Sequence, residues 1–320
     1  MLGSPYRKEW LVEFGIAKTM ISAEVGSRIH TISEYVEMFS CSRGVVQNAL
    51  AALEGEKVIR LDRQGKRGTF LTGKEEKYLY AFSGLKHLTG SMPPPINRHF
   101  AGIATGICSC MNQCPIPFTF AFVQGSENRI EALLAGAYDF VVTTQYAAQV
   151  YAEKYPDVEI AFALDSCQYS LPYKLYINGP GFTEIQDGMT VAIDPTSFDQ
   201  AAMTRKLCEG KDVQLREMPL LSAAYSFYTG GIDCLVFRDG IENGGDNLLN
   251  LVLSNENKLT LPEISEISLD QNNSGMQLPV VVVHRKNIGM GGILHKYISG
   301  DQVGEIQQRI LDGIMVPQFY

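Results

Sequence analysis

Apolar positions near the start of the chain recur at helical spacing. Leu11, Phe14, Ile16 and Ile21, with Trp10 beside them, predict a helix over residues 8–21. Thr31-Ile32-Ser33-Glu34 then has the spacing of a capping box, in which a threonine hydroxyl and a glutamate satisfy each other's exposed backbone donors. The helix it opens ends near Phe39. Ser42 is a second good N-cap, opening a helix over residues 43–54. Val46, Ala49, Leu50 and Leu53 share one face of that helix and should pack inward, which leaves Arg43, Gln47 and Asn48 elsewhere on it. Val58-Ile59-Arg60-Leu61 and Thr69-Phe70-Leu71-Thr72 read as two strands, joined by a glycine-bearing basic turn at residues 62–68. Two short helices in a tight turn followed by a two-stranded wing predict a winged helix-turn-helix.

From about residue 84 the pattern changes to short apolar strands alternating with longer helical stretches, the signal of a parallel sheet with crossover helices. Residues 118–123 and 139–144 read as strands around a helix at 127–134. The same order returns about ninety-five residues later, with strands at 213–217 and 233–237 around a helix at 222–228. Upstream of each set lies a strand-to-helix junction, at Leu88-Thr89-Gly90-Ser91-Met92 and at Val191-Ala192-Ile193-Asp194-Pro195-Thr196-Ser197. Two α/β lobes are the simplest account. Residues 169–177 would carry the chain into the second lobe and the apolar run 278–284 would bring it back, with a helix at 301–311 packed on the first. The expected domains are therefore 1–76 and 77–320, with the second lobe at roughly 180–275.

Composition narrows the function. With 45 % hydrophobic and 19 % charged residues, the chain reads as folded and soluble. It has no apolar run of membrane-spanning length, and residues 1–8 lack a secretory signal, so no membrane contact and a cytoplasmic location are expected. The net charge of −8 argues against a surface coated with nucleic acid. Between Cys41 and Lys74, however, the bases Arg43, Lys57, Arg60, Arg63, Lys66, Arg67 and Lys74 outnumber Glu54, Glu56 and Asp62. The sign reverses where a DNA-binding face is expected. Of the seven cysteines, Cys108, Cys110 and Cys114 cluster without a matching pair or a nearby histidine, so packed thiols on a helix are expected and no metal or cofactor.

The first seventy-odd residues resemble the GntR class of winged-helix regulators. The resemblance rests on Ser42-Arg43, Ala49-Leu50-Ala51-Ala52-Leu53-Glu54 and Lys66-Arg67-Gly68-Thr69-Phe70-Leu71. It departs at Gly44, where a threonine is usual, and at Gln47, where an arginine is usual. The layout of the remainder, two lobes joined by two crossing strands, resembles type 2 periplasmic-binding-protein folds. The Gly90-Ser91-Met92-Pro93-Pro94-Pro95 string, the loop at residues 124–128 and residues 132–139, behind a divergent winged helix, resemble the YhfZ group of regulators. The resemblance covers nearly the whole chain. The expected fold is α/β: an N-terminal winged helix-turn-helix followed by a bilobal, type 2 periplasmic-binding-protein-like domain.

Double-stranded operator DNA and a small anionic effector are the expected partners, with the protein a homodimer, because two-fold pairs read palindromic half-sites. Candidate DNA contacts are Ser42, Arg43, Gln47, Asn48, Arg63, Lys66 and Arg67. Candidate effector contacts lie at strand ends and helix starts facing a cleft, where free N–H groups favour anions. They are Ser91, Met92, Gln124, Gly125, Ser126, Thr143, Thr144 and Gln145 from the first lobe, and Asp194, Thr196, Ser197 and Arg238 from the second. N-capping or turn chemistry is the better account of any one of them alone, and the expectation lies in the set converging on one cleft. Arg238 matters most, as a cation able to clamp a carboxylate or phosphate. The rival classes are an enzyme on the same fold and a carrier whose winged helix does not bind DNA. For the enzyme there is no metal-spaced histidine pair among five histidines, no Walker A loop and no G-x-S-x-G elbow.

Overall fold

The computed structural model describes residues 5–169, 172–238, 263–269 and 274–319, with backbone alone for residues 5–8. Ser170 and Leu171, in the predicted crossover strand, and parts of the second-lobe range lie outside the described residues. The chain opens with α1 (Pro5–Ser22), α2 (Ile32–Phe39), α3 (Arg43–Gly55), β1 (Ile59–Arg63), β2 (Thr69–Lys74) and α4 (Glu76–Phe82). The Thr31 capping box forms, with Glu34 N–H donating to Thr31 Oγ1 at 3.2 Å and Thr31 N–H to Glu34 Oε2 at 2.6 Å. Ser40, at φ 47°, turns the chain out of α2 and into α3. Val46, Ala49, Leu50 and Leu53 are buried as the periodicity requires.

β1 and β2 pair antiparallel, and residues 26–29 lie along β2 as a third short strand, through Ile29 N–H to Thr69 O at 2.9 Å and Leu71 N–H to Ser27 O at 3.0 Å. The expected first helix forms as α1, but its buried face is not centred on the residues that marked it. Trp10 and Leu11 are each 61 % exposed, and the buried stripe is Val12, Ile16 and Met20, with Ala17 and Ile21. Those three positions recur at i, i+4 and i+8, and Leu11 falls outside their stripe.

The chain continues through β3 (Leu88–Met92), α5 (Arg98–Met111), β4 (Phe118–Phe122), α6 (Ser126–Leu134), β5 (Phe140–Thr144), α7 (Gln145–Lys154) and β6 (Val158–Ala163). It crosses to β7 (Lys174–Asn178), β8 (Thr190–Ile193), α8 (Phe198–Leu207), β9 (Gln214–Glu217), α9 (Leu220–Tyr228), β10 (Cys234–Phe237) and β11 (Ile264–Ser268). It returns in β12 (Pro279–His284) and ends in α10 (Met290–Tyr297) and α11 (Gly300–Leu311). The first lobe is a five-stranded sheet of order β4-β3-β5-β12-β6, and the second one of order β11-β7-β10-β8-β9. β12 runs antiparallel to β5 and β6, and β7 antiparallel to β10 and β11, because each joins its sheet from the opposite lobe.

The repeat read from the sequence extends to its hydrogen bonds. Thr89 N–H donates to Asp139 Oδ2 at 2.8 Å while Asp139 N–H donates to Thr89 O at 2.8 Å. In the second lobe Thr190 and Asp233 make the same clasp, at 2.7 and 2.9 Å. α11 packs along α5 on the first lobe, as expected. Cys108 and Cys110 lie on α5 and Cys114 just beyond it; burial pushes the Cys108 thiol up to about 11 and raises the other two.

One core joins the winged helix to the first lobe. Ile16, Met20 and Leu79 pack in the same cluster as Val281, Ile293 and Leu294, each fully buried. Every such side chain contributes about 1.5–3 kcal/mol. Gly289, at φ 82°, lets α1 come close: a Cβ there would fall 2.7 Å from Lys18 Cβ and 3.0 Å from the α1 backbone. Lys74 Nζ donates to the carbonyls of Ile21 and Ala23, both at 2.8 Å, closing the end of α1, and Lys18 Nζ reaches Asn287 Oδ1 at 2.7 Å. The head is therefore seated on the first lobe, not hung from it.

Candidate functional site

The first candidate surface is the exposed edge of α3 with the wing. Arg43, Gly44, Gln47 and Asn48 are all exposed, as are Lys66 and Arg67, which sit on a single 3-10 turn at the wing tip (Gly65–Arg67). Ser42 holds the N-cap position in extended conformation, but its hydroxyl makes no capping bond; Val45 N–H and Val46 N–H reach its backbone carbonyl. Arg43 Nη1 donates to Ser33 Oγ at 3.3 Å, tying α3 to α2. Arg63 differs from expectation. Both its Nη groups grip Glu54, at the far end of α3, so a carboxylate already meets its charge and it braces the wing. The sequence reading missed Arg28. It is exposed, with its guanidinium against Gly68 at the wing root, placed there by the strand pairing of residues 26–29.

The second candidate surface is the cavity between the lobes, of about 80 Å³. Of the twelve expected positions it gathers seven: Gln124, Gly125, Ser126, Thr143, Thr144, Ser197 and Arg238. Five lie off its wall. Ser91 and Met92 end β3, which is hydrogen-bonded on both sides, and both side chains are fully buried. Asp194 braces a turn, accepting from Thr196 Oγ1 at 2.7 Å, Thr196 N–H at 3.0 Å and Leu220 N–H at 3.0 Å. Thr196 is held in that turn, and Gln145 starts α7 with its N–H on Leu278 O at 2.8 Å.

Five helix N-termini meet at this cavity. Asn97 caps α5, Gly125 precedes α6, Thr144 caps α7, Ser197 precedes α8, and Leu220 begins α9; all five residues except Thr144, which also lines it, come from loops or first turns. Their dipoles make the space electropositive, although the N–H groups of Glu127, Phe198 and Leu220 are already taken by Thr196 O, Ser126 Oγ and Asp194 Oδ2. The lobes touch across its rim. Glu127 N–H donates to Thr196 O at 3.1 Å, Phe198 N–H to Ser126 Oγ at 3.2 Å, and Thr144 Oγ1 to Asp199 Oδ1 at 3.1 Å. Gly125, at φ 84°, permits this approach, since a Cβ would fall 2.5 Å from Thr196 Oγ1.

Among the described residues, the charged groups lining the cavity are Arg129, Asp199 and Arg238. Arg238 Nη2 pairs with Asp199 Oδ2 at 3.0 Å, Nη1 donates to Met276 O at 2.8 Å, and the guanidinium lies 3.9 Å over the Tyr173 ring. Arg238 is thus held within the second lobe and to the returning chain at Met276 as well as lining the site. Arg129 is 2 % exposed; its Nη1 donates to Val123 O at 2.8 Å and its Nη2 approaches Tyr169 Oη at 3.4 Å. Among the described residues its Nε–H has no hydrogen-bond partner, while the Asp199 carboxylate attracts it through space without a direct contact. Burial pulls the Arg129 pKa down and pushes the Asp199 pKa up, against the attraction of Arg238. Arg129, Asp199 and Tyr169 escaped the sequence reading. The only available signal was Arg129's place one turn inside α6, next to the Gln124–Ser126 loop.

A larger, open groove of about 800 Å³ runs between the winged helix and the first lobe, past Arg28, His30, Glu34, Glu159, His284 and Arg285. Charges of both signs line it, and most of them are exposed. No described helix is long and apolar enough to cross a membrane, and the described residues hold no cluster of metal-binding side chains.

A helix-turn-helix head on a bilobal body, with two strands exchanged between the lobes and a polar cleft at the strand ends, defines a helix-turn-helix protein with a binding-protein-like α/β body. Residues 24–71 match a helix-turn-helix domain family, and residues 75–319 match the YhfZ C-terminal domain. The chain belongs to the YhfZ family. It is 25 % identical over 313 residues to the uncharacterized protein YhfZ of Escherichia coli (strain K12), covering 98 % of each chain. The crystal structure of YhfZ from Shigella flexneri is 22 % identical and superposes with a TM-score of 0.57, over 76 % of this chain and 97 % of that one. The periplasmic aliphatic sulphonate binding protein SsuA from Escherichia coli matches with a TM-score of 0.48 and 11 % identity, over 71 % and 75 % of the two chains.

Proposed function

We propose that the protein is a ligand-responsive transcription regulator: a winged helix of GntR type binds operator DNA, and the interlobe cleft binds a small anionic effector. The observation that carries this reading is the seating of the helix-turn-helix on the first lobe through one shared core, so that the cleft and the DNA-facing helix belong to one body. Arg43, Gln47 and Asn48 meet base edges and Ser42 the backbone at the start of α3, while Lys66 and Arg67 hold phosphates. Arg63 supports the wing instead of touching DNA. The effector contacts are the seven expected residues on the cavity wall, joined by Arg129. Five helix N-termini and a buried guanidinium whose Nε–H is unpartnered among the described residues favour an anion there.

The active species is a homodimer, because one winged helix covers too few base pairs to select a site. It works in the cytoplasm, where its operator is. Effector binding sets the angle between the lobes and so the spacing of the two heads, which requires unequal affinity of the effector for the two arrangements.

Gel retardation with DNA from upstream of the protein's own gene tests the reading. The wild type should bind with steep salt dependence. Arg67→Ala should weaken binding across all sequences and lower the salt slope by about 1, whereas Gln47→Ala should change which sequence is preferred. Absence of retardation at low salt with every neighbouring fragment would sink the regulator reading, and the reverse pattern of the two variants would overturn the roles of wing and helix.

A further inference from the structure

We infer that the effector is a short-chain monocarboxylate of about three or four carbons, with its carboxylate on Arg129 and its chain against Ile96, Phe100 and Phe237. This rests on the anion-sensor reading above and adds charge, head group and size.

The head group follows from which edge of the guanidinium is open. Arg129 Nη1 is taken by the Val123 carbonyl at 2.8 Å. Nε–H has no acceptor, and Nη2 has only the 3.4 Å approach of the Tyr169 hydroxyl. Nε and Nη2 share one edge of the planar guanidinium. That edge grips a carboxylate through two parallel hydrogen bonds. At 2 % exposure that edge meets bulk solvent nowhere and faces only what fills the cavity.

The charge follows from a count. Asp199 and Arg238 answer each other at 3.0 Å, and Thr144 also donates to Asp199. Two guanidiniums and one carboxylate, with Asp199 attracting Arg129 as well, leave one surplus positive charge among the described residues lining the cavity. A monoanion brings the lining to neutrality. A dicarboxylate or a doubly charged phosphate ester would bury a surplus negative charge instead, which is costly at low dielectric.

The size follows from the volume. A water molecule needs about 10–15 Å³ of such space, so about 80 Å³ holds about six heavy atoms within the lining. That is the size of propionate, lactate, pyruvate or butyrate. Ile96, Phe100, Leu220 and Phe237 give the space an apolar side suited to such a chain.

Thermal unfolding of the purified full chain is the test, with propionate, butyrate, L-lactate and pyruvate set against succinate, inorganic phosphate, phosphoenolpyruvate and the neutral propionamide. At a hundredfold excess over Kd, at least one monocarboxylate should raise Tm by about 5 °C, and the neutral amide should not. A rise with succinate or phosphoenolpyruvate alone would overturn the charge count while leaving the anion sensor standing. No rise with any anion would remove both. Arg129→Met should melt higher than the wild type without ligand, since it removes an unpaired buried charge, and should lose the carboxylate response. A lower unliganded Tm in that variant, or an unchanged carboxylate response, would overturn the inference. If that variant fails to fold, the wild-type panel alone decides the matter.

Discussion

His99, at the second position of α5, is 9 % exposed, and burial holds its pKa below the ordinary histidine value. A group whose folded pKa is depressed gives stability that is present above the unfolded pKa and lost as pH falls through the folded one. The melting temperature should therefore decline as pH drops below about 6.5, and His99→Gln should flatten the decline. An unchanged pH profile in that variant would remove His99 as its source. At the cleft, what the sequence revealed divides by residue. Gln124, Gly125, Ser126, Thr143, Thr144 and Ser197 were legible because a strand end followed by a helix start places a residue at a cleft by local rules alone. Arg129 was not. In Ser126–Leu134 it reads as one more polar helix residue, and only Tyr169, forty positions away, and the second lobe bury it. Ser91 and Met92 failed for the opposite reason: the local rule placed them at a strand end, but neighbours on both sides of β3 enclose them.

Among the elements, the capping box and the wing were written locally and formed as read, whereas the face of α1 was not. Its burial is set by α3, α4 and α10, which pack on it from later parts of the chain. Gly289→Val should place a branched side chain at φ 82° against the α1 backbone. It should cost about 2–4 kcal/mol in chemical denaturation and loosen the head before the lobes. Proteolysis or hydrogen exchange that shows the two parts opening together would contradict that order. Thr31→Ala should remove the cap of α2 and cost about 1 kcal/mol. The Arg63–Glu54 pair leaves Arg63 more than half exposed, so its worth to stability is small. Its effect on DNA binding should be small too. Arg63→Ala should change the salt slope of DNA binding less than Lys66→Ala does, and the opposite ranking would return Arg63 to the phosphate-binding set.

The whole molecule divides differently from the way its sequence reads. Composition and periodicity mark a change near residue 76, yet the hydrophobic core runs through it, from Val12 and Ile16 to Ile293 and Val303. In the proposed mechanism the head stays with the first lobe and the second lobe answers the cleft. The contacts at Thr196, Phe198 and Asp199 are those that must break for it to open. Coupling between the cleft and DNA is thus the central claim. It is tested most directly by fluorescence anisotropy of a duplex from upstream of the protein's own gene, titrated with the full chain with and without the carboxylate that raises its Tm most. The predicted result is salt-dependent binding whose affinity changes by about 5–150-fold when the cleft is filled. Failure to bind the duplex, or superimposable curves with and without the carboxylate, would contradict it.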